Sequence, residues 1–197
     1  QACILCNTAA LDEGGKEIGD PLETALLKYA QELESISNVR SRFPKTNEEP
    51  FSSESKRMLT IHKTESGYIT FAKGAVEEIL KISDRSDHHA ESDFSAQVKE
   101  YYLREVEKLA ASGYKVIALA YHPQDQSGVI PTDNFSFLGL VGLIDPPRAE
   151  VSQAIAECKA AGIKVMMITG DHPETAKEIA HQLGMVDSKD EPVVLGE

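Results

Sequence analysis

The stretch IKVMMI, residues 163–168, constrains the fold of this chain more than any other. It is apolar apart from Lys164 and is strand-sized. A strand buried on both faces of a parallel sheet reads this way, whereas a strand with one wet face alternates. It lies between two helical patterns. PPRAEVSQAIAECKAAG places Val151, Ile155 and Cys158 on one face and stops at Gly162. PETAKEIAHQLG does the same with Ala176, Ile179 and Leu183. Helix, buried strand, helix is a piece of a doubly wound α/β sheet, in which ligands sit beyond the carboxyl ends of the strands. That end carries Thr169, Gly170 and Asp171. Gly170 permits a tight turn, Thr169 offers a hydroxyl, and the next helix offers free N–H groups that suit a phosphate. Equally, Asp171 can be no more than the helix cap.

Before Asp145 the pattern changes. GDPLETALLKYAQELE reads as a helix with Asp20 as N-cap, Pro21 in its first turn and Glu23 completing a capping box. Leu22, Leu26, Tyr29 and Leu33 recur at helical spacing and predict its buried face. Ile36 to Pro50 is polar and reads as a connection. SKRMLTIH and GYITFAKG, separated by KTES, predict an antiparallel hairpin. AVEEILKIS is a short helix after Gly74. DRSDHHAESD is a charged loop, with His88 and His89 solvated. Phe94, Val98, Tyr102 and Leu109 mark a helix that stops at Gly113. YKVIALAY and FSFLGLVGLI are further strands, with HPQDQSGVIPTDN as a loop between them. The expected architecture is an α+β domain with a mostly antiparallel sheet flanked by helices, over residues 1–140. A partial α/β, Rossmann-type segment follows over residues 141–197, and the boundary falls near residues 138–146.

Net charge narrows the function. Over 197 residues, 20 Lys and Arg face 32 Asp and Glu, for a net charge of −12. A nucleic-acid binder usually carries a basic face, so that class is disfavoured. A nucleotide ligand is not, because a few lysines can make a local positive pocket. No apolar run approaches the ~18 residues of a membrane span, and direct insertion of this segment into a membrane is not expected. The opening QACILCN has neither an initiator Met nor a leader, and reads as a soluble segment of something longer. Three Cys disfavour a disulfide framework. Cys3 and Cys6 have C-x-x-C spacing without a second pair, and Cys158 reads as packing. No metal site is expected.

A set of short motifs, in order, carries a resemblance. CILCNTAAL, GDPLETALL, FSSESKRM, FAKGAVEEIL, GYKVIALAY, DPPRAEV and TGDHPETA are similar to segments of P-type cation-transporting ATPases, in their calcium-pump-like branch. The match covers most of the chain. It implies a nucleotide-binding domain followed by part of the haloacid-dehalogenase-like phosphorylation domain. It implies ATP with Mg²⁺ as ligand, Phe51 stacking on adenine, Lys56 near the base and ribose, and Lys73 at the pocket floor. Glu23 then lies beside the adenine and Lys115 reaches a phosphate. Asp145 and Arg148 lie at the hinge into the second domain, and Thr169, Gly170 and Asp171 approach the transferred phosphoryl group. From the residues alone, Phe51 reads first as core and Lys73 as a solvated charge, and Glu23 can be no more than a capping residue.

The departures are specific. Val76 stands where the family usually has Pro, and Lys115 in place of Arg gives a point contact to phosphate. The phosphate-accepting Asp of DKTGT and the later GDGxND stretch do not occur in this chain. The resemblance therefore implies an ATP-binding fragment that presents nucleotide to an aspartate outside this chain, coupled to transport of a cation, with calcium as the branch's suggestion. Its partners are the remaining phosphorylation, actuator and transmembrane domains, at the cytoplasmic face of a membrane. Two rival readings stay open. One is a free-standing haloacid-dehalogenase-type phosphatase, which needs a D-x-D nucleophile. The other is an interaction domain without a ligand.

Overall fold

Apolar residues crowd SKRMLTIH and GYITFAKG, and these two strands are the centre of the fold. The computed structural model describes residues 1–12, 14–86, 94–126, 128–144, 148–169, 173–188 and 194. Two units divide the chain: Gln1–Leu103 with Val116–Leu143, and Arg104–Lys115 with Ile144–Glu197. In chain order the elements are α1 (Ala2–Leu5), β1 (Ala10–Leu11), β2 (Glu17–Ile18), α2 (Pro21–Gln31), α3 (Ile36–Arg42), β3 (Lys45–Glu49), β4 (Arg57–Thr64) and β5 (Gly67–Gly74). There follow α4 (Val76–Ile82), β6 (Ser83–Ser86), α5 (Ala96–Ala111), β7 (Lys115–Gln124), β8 (Phe135–Leu143), α6 (Ala149–Ala160) and α7 (Pro173–Gln182).

The first unit is built on a sheet of order β3-β4-β5-β7-β8-β6. Antiparallel pairs join β3 to β4, β4 to β5 and β5 to β7, while β6 runs parallel to β8, so the sheet is mixed. Register decides what each face holds. Lys73 lies opposite Met58 on β4 and opposite Leu119 on β7. Phe71, two residues earlier, points the same way as Lys73. Met58, Phe71 and Leu119 pack with Ile4 and Leu5 of α1, Leu27 and Ala30 of α2, and Val39 of α3. Leu59, Ile61, Ala72 and Ala118 alternate to the other face and are buried as well. Phe94 stacks on Phe137 of β8 at 5.6 Å, and Tyr102 of α5 tilts onto the same ring at 4.8 Å.

Helix α2 begins as expected, but its buried face differs. Glu23, Thr24, Leu26, Leu27 and Ala30 are buried. Tyr29 is 58% exposed and Leu33, beyond the last turn, 75%. Glu23, Leu27 and Ala30 share one face at i, i+4 and i+7, and the inward turn of the Glu23 carboxylate described below fixes that rotation.

The segment from Ile36 to Pro50 is not a plain connection. Val39 of α3 is buried, with Ile36 and Phe43 packed beside it at helical spacing. Strand β3 is polar throughout and lies at the sheet's edge, where apolar alternation is not required. Part of the charged loop DRSDHHAESD forms β6, held by the ladder Ser83↔Phe135 to Ser86↔Phe137. Residues 87–93, with His88 and His89, lie outside the described residues.

In the second unit the two helices form as read. α6 buries Ile155, and α7 buries Ala176 and Ala180 with Leu183 just beyond. Gly162, at φ 73°, ends α6, and Ile163 N donates to Cys158 O at 2.9 Å. The strand expected at IKVMMI is absent: residues 163–168 carry no ladder, and Ile163, Met166 and Ile168 are 56%, 83% and 91% exposed. A strand exists through its neighbour's hydrogen bonds, and the described residues of this unit provide no second strand.

Two outcomes follow for stability. Leu27→Ala should cost about 2–5 kcal/mol by cavity formation, while Leu33→Ala should stay within about 0.5 kcal/mol. Urea unfolding of the two variants distinguishes this helix rotation from the one that buries Leu33.

His62 on β4 is 2% exposed, and its Nδ1 lies 3.0 Å from Phe43 O. A carbonyl only accepts, so Nδ1 carries the proton. Burial, reinforced by the nearby Lys45 and Arg40 charges, outweighs the carbonyl bonds and holds the ring below its ordinary pKa. The unfolded chain therefore takes up this proton first. Stability is intact above pH ~6.5 and is lost as pH falls below it. Melting temperatures between pH 7.5 and 5 should drop, and drop less in His62→Gln. An equal slope in both proteins contradicts the assignment.

Candidate functional site

The N-terminus of α2 sets the site. Asp20, at φ −67° and ψ 136°, caps the helix, and its side chain accepts from Leu22 N and Glu23 N at 2.9 and 3.3 Å. Pro21 occupies the first turn, where no N–H is required. Glu23 does not complete a capping box. Its Oε2 accepts from Thr8 N at 2.9 Å, Thr8 Oγ1 at 2.5 Å and Ala9 N at 3.1 Å. Its Oε1 accepts from Lys73 Nζ. The carboxylate is thus spent on a loop and on a strand, not on its own helix.

Lys73 and Glu23 form a buried ion pair, with side chains 7% and 11% exposed. Lys73 is therefore not the solvated strand-end charge its position suggests. Register explains this: opposite Met58 and Leu119, its side chain enters the layer filled by α1 and α2. Burial pushes the Glu23 carboxyl up, but the Lys73 ammonium, the Thr8 hydroxyl and the Thr8 N–H more than offset it. The group is held below its ordinary pKa.

The Thr8–Ala9 loop is itself tied down. Asn7 Nδ2 donates to Cys3 O and Glu23 O at 3.0 and 2.9 Å, and Asn7 Oδ1 accepts from Ala9 N at 2.8 Å. Arg40 Nη2 of α3 donates to Ala9 O at 2.8 Å. Asn7 and Thr8 fall within the motif CILCNTAAL, but no site role was read for them or for Arg40. The Asn-Thr pair after an apolar helical turn was the available signal, because such residues favour backbone bonding.

Lys56 and Phe51 belong to the loop that feeds β4. Lys56 has φ 47°; its N–H donates to Ser52 O at 2.8 Å, and its carbonyl accepts from Ala75 N at 2.9 Å. Gly74 permits this approach, since a Cβ there would lie 2.4 Å from Lys56 O. The loop is thereby fastened beside the residue that follows Lys73. Phe51 is 60% exposed, which sets aside the core reading of this ring. The structure so brings Glu23, Lys73 and the Lys56 backbone to one corner of the first unit, with Phe51 on the same loop.

The other expected site residues lie elsewhere. Lys115 opens β7, Arg148 stands at the N-cap position of α6 without a side-chain cap bond, and Thr169 lies in the segment 163–169, which forms neither helix nor strand; all three are exposed and fall in the second unit. Asp145, Gly170 and Asp171 lie outside the described residues. The cysteines are free. Burial pushes the Cys6 thiol up to about 11, which suits packing and not thiolate chemistry. No group of three or more His, Cys, Asp or Glu among the described residues is placed to hold a metal ion.

Comparison with known proteins extends these observations. Residues 1–150 match the family model described as P-type ATPase, cytoplasmic domain N. The potassium-transporting ATPase alpha chain 2 of Rattus norvegicus is 36% identical over 96% of this chain and 21% of its own length. The sodium/potassium-transporting ATPase subunit alpha-2 of Gallus gallus has the same identity and coverage. The calcium-transporting ATPase 1 of Lactococcus lactis is 34% identical, over 96% of this chain and 22% of its own length. Pumps named for different cations match about equally, so the calcium branch is not singled out. The chain spans about a fifth of the length of these relatives. It belongs to the P-type cation-transporting ATPases, as a fragment whose residues 1–150 match their cytoplasmic domain N.

Proposed function

We propose that the first unit binds ATP and presents it, with its Mg²⁺, for phosphorylation of an aspartate outside this chain, in a pump that moves a cation across a membrane. The observation that carries this reading is the corner itself: an aromatic ring left 60% exposed on a loop fastened beside a buried, paired lysine. Leaving a large apolar face in water without a partner gains nothing in folding. Stacked under a base, such a ring is worth ~1–3 kcal/mol per base in nucleic-acid complexes.

The pairing of Lys73 is compatible with this role. An ammonium has three donors, and Glu23 uses one. The others can meet a phosphate or base without breaking the ion pair. Lys56, exposed on the loop, adds a second positive charge on a chain whose net charge is −12. Mg²⁺ would arrive with the nucleotide and neutralise charge developing on the transferred group. In this reading Asp145 and Arg148 would belong to the hinge into the phosphorylation domain, and Thr169 to Asp171 would act at the transferred phosphoryl group, where placement governs rate. Residues 141–197 are then part of a haloacid-dehalogenase-like phosphorylation domain, and the remaining domains of the pump are its partners at the cytoplasmic face. Calcium is one of the cations that the relatives' names offer for transport.

The chain should bind ATP with an affinity on the order of millimolar, about −4 kcal/mol, and release no phosphate. Phe51→Ala should lose ~1–3 kcal/mol of that binding if stacking is its role and leave the melting temperature unchanged. ATP titration followed by NMR measures the first, and thermal unfolding the second. Steady phosphate release would point instead to a phosphatase. A parent chain with no nucleotide-dependent shift would point to an interaction domain.

A further inference from the structure

We propose that Thr8 is a positioning residue for Lys73, acting through Glu23; the inference rests on the nucleotide reading above. A carboxylate has two oxygens in one rigid plane, so holding one aims the other. Oε2 of Glu23 is held by three donors, the Thr8 N–H, the Thr8 hydroxyl and the Ala9 N–H. Oε1 is then turned to Lys73 Nζ. Two of those donors are backbone groups, and Asn7 and Arg40 already fix that backbone. The Thr8 hydroxyl is the one donor to Oε2 that a side-chain substitution can remove.

Lys73 gains by this arrangement. A lysine has a flexible stem and many rotamers, and holding its ammonium in place costs conformational entropy. Glu23 meets that cost during folding, so the charge is already placed when a ligand arrives. Thr8 is exposed although its hydroxyl is engaged, so its substitution leaves the core intact.

Thr8→Val keeps the shape and removes the hydroxyl, and Thr8→Ser restores it. The expected result is ATP binding weakened about threefold to tenfold in Thr8→Val, the range of one lost hydrogen bond, and restored in Thr8→Ser. The ¹⁵N resonance of Lys73 Nζ, read without nucleotide, should shift and broaden in Thr8→Val alone. Unchanged affinity and an unchanged Nζ resonance in Thr8→Val overturn the proposal, as does a loss that Thr8→Ser fails to restore. If the parent chain binds no ATP, the nucleotide reading falls, and the Nζ resonance in the two variants still decides whether Thr8 positions Lys73. Should Thr8→Val not fold, Thr8→Ala removes the same hydroxyl without adding bulk at the site, and is read identically.

Discussion

The ion pair between Glu23 and Lys73 is the constraint on which the first unit depends. It joins residues 50 positions apart in sequence and fastens the first turn of α2 to the central strand β5. Because Glu23 also takes the N–H groups of Thr8 and Ala9, the loop after α1 is fixed to the same point. The other ion pairs among the described residues, such as Arg42 with Glu34 or Lys108 with Glu105, lie on the surface. Pairs of that kind contribute little. A buried pair is different in kind: its formation repays desolvation only in part, but losing one partner strands a charge inside the protein. Helix rotation, loop conformation and strand register must therefore agree, or the charge is left unmatched.

This accounts for how a chain with few aromatics and a strong negative charge builds the corner for which nucleotide binding is proposed. The sheet's apolar alternation on β4, β5 and β7 supplies a rigid platform, and Lys73 is a buried charge on its helix-covered face, beside the buried polar Thr60 and His62 of β4. The loop carrying Phe51 and Lys56 is pinned to that platform through Gly74. In the proposed role, rigidity is the useful property, since phosphoryl transfer depends on positioning more than on new bonds made by the protein.

Much of the fold was legible in the sequence because it rests on local patterns. The hairpin of β4 and β5, the helix cap at Asp20 and the stops at Gly113 and Gly162 each follow from a few adjacent residues. What escaped depends on partners far along the chain. β3 and β6 are polar strands that exist because β4 and β8 offer them ladders. The rotation of α2 follows from a carboxylate that must reach Thr8 and Lys73, which periodicity cannot register. IKVMMI failed in the opposite sense: its pattern is that of a buried strand, but the described residues of its unit give it no strand to pair with. At the candidate site, the ordered motifs singled out Glu23, Phe51, Lys56 and Lys73, but the ion pair between Glu23 and Lys73 was not legible in them. Asn7 and Thr8 lie in the motif CILCNTAAL, but neither they nor Arg40 of α3 carry a pattern that shows them holding Glu23 and its loop in place.

A double-mutant cycle measures the coupling between Glu23 and Lys73. Glu23→Gln, Lys73→Met and the double variant would be unfolded in urea at neutral pH and compared with the parent chain. Each single substitution leaves part of the pair without its partner, whereas the double removes both charges. The double variant should be more stable than the sum of the two single losses implies, by about 2 kcal/mol or more. Losses that add to within about 0.5 kcal/mol would show that the two side chains are not coupled, and that the corner is not organised around their pairing.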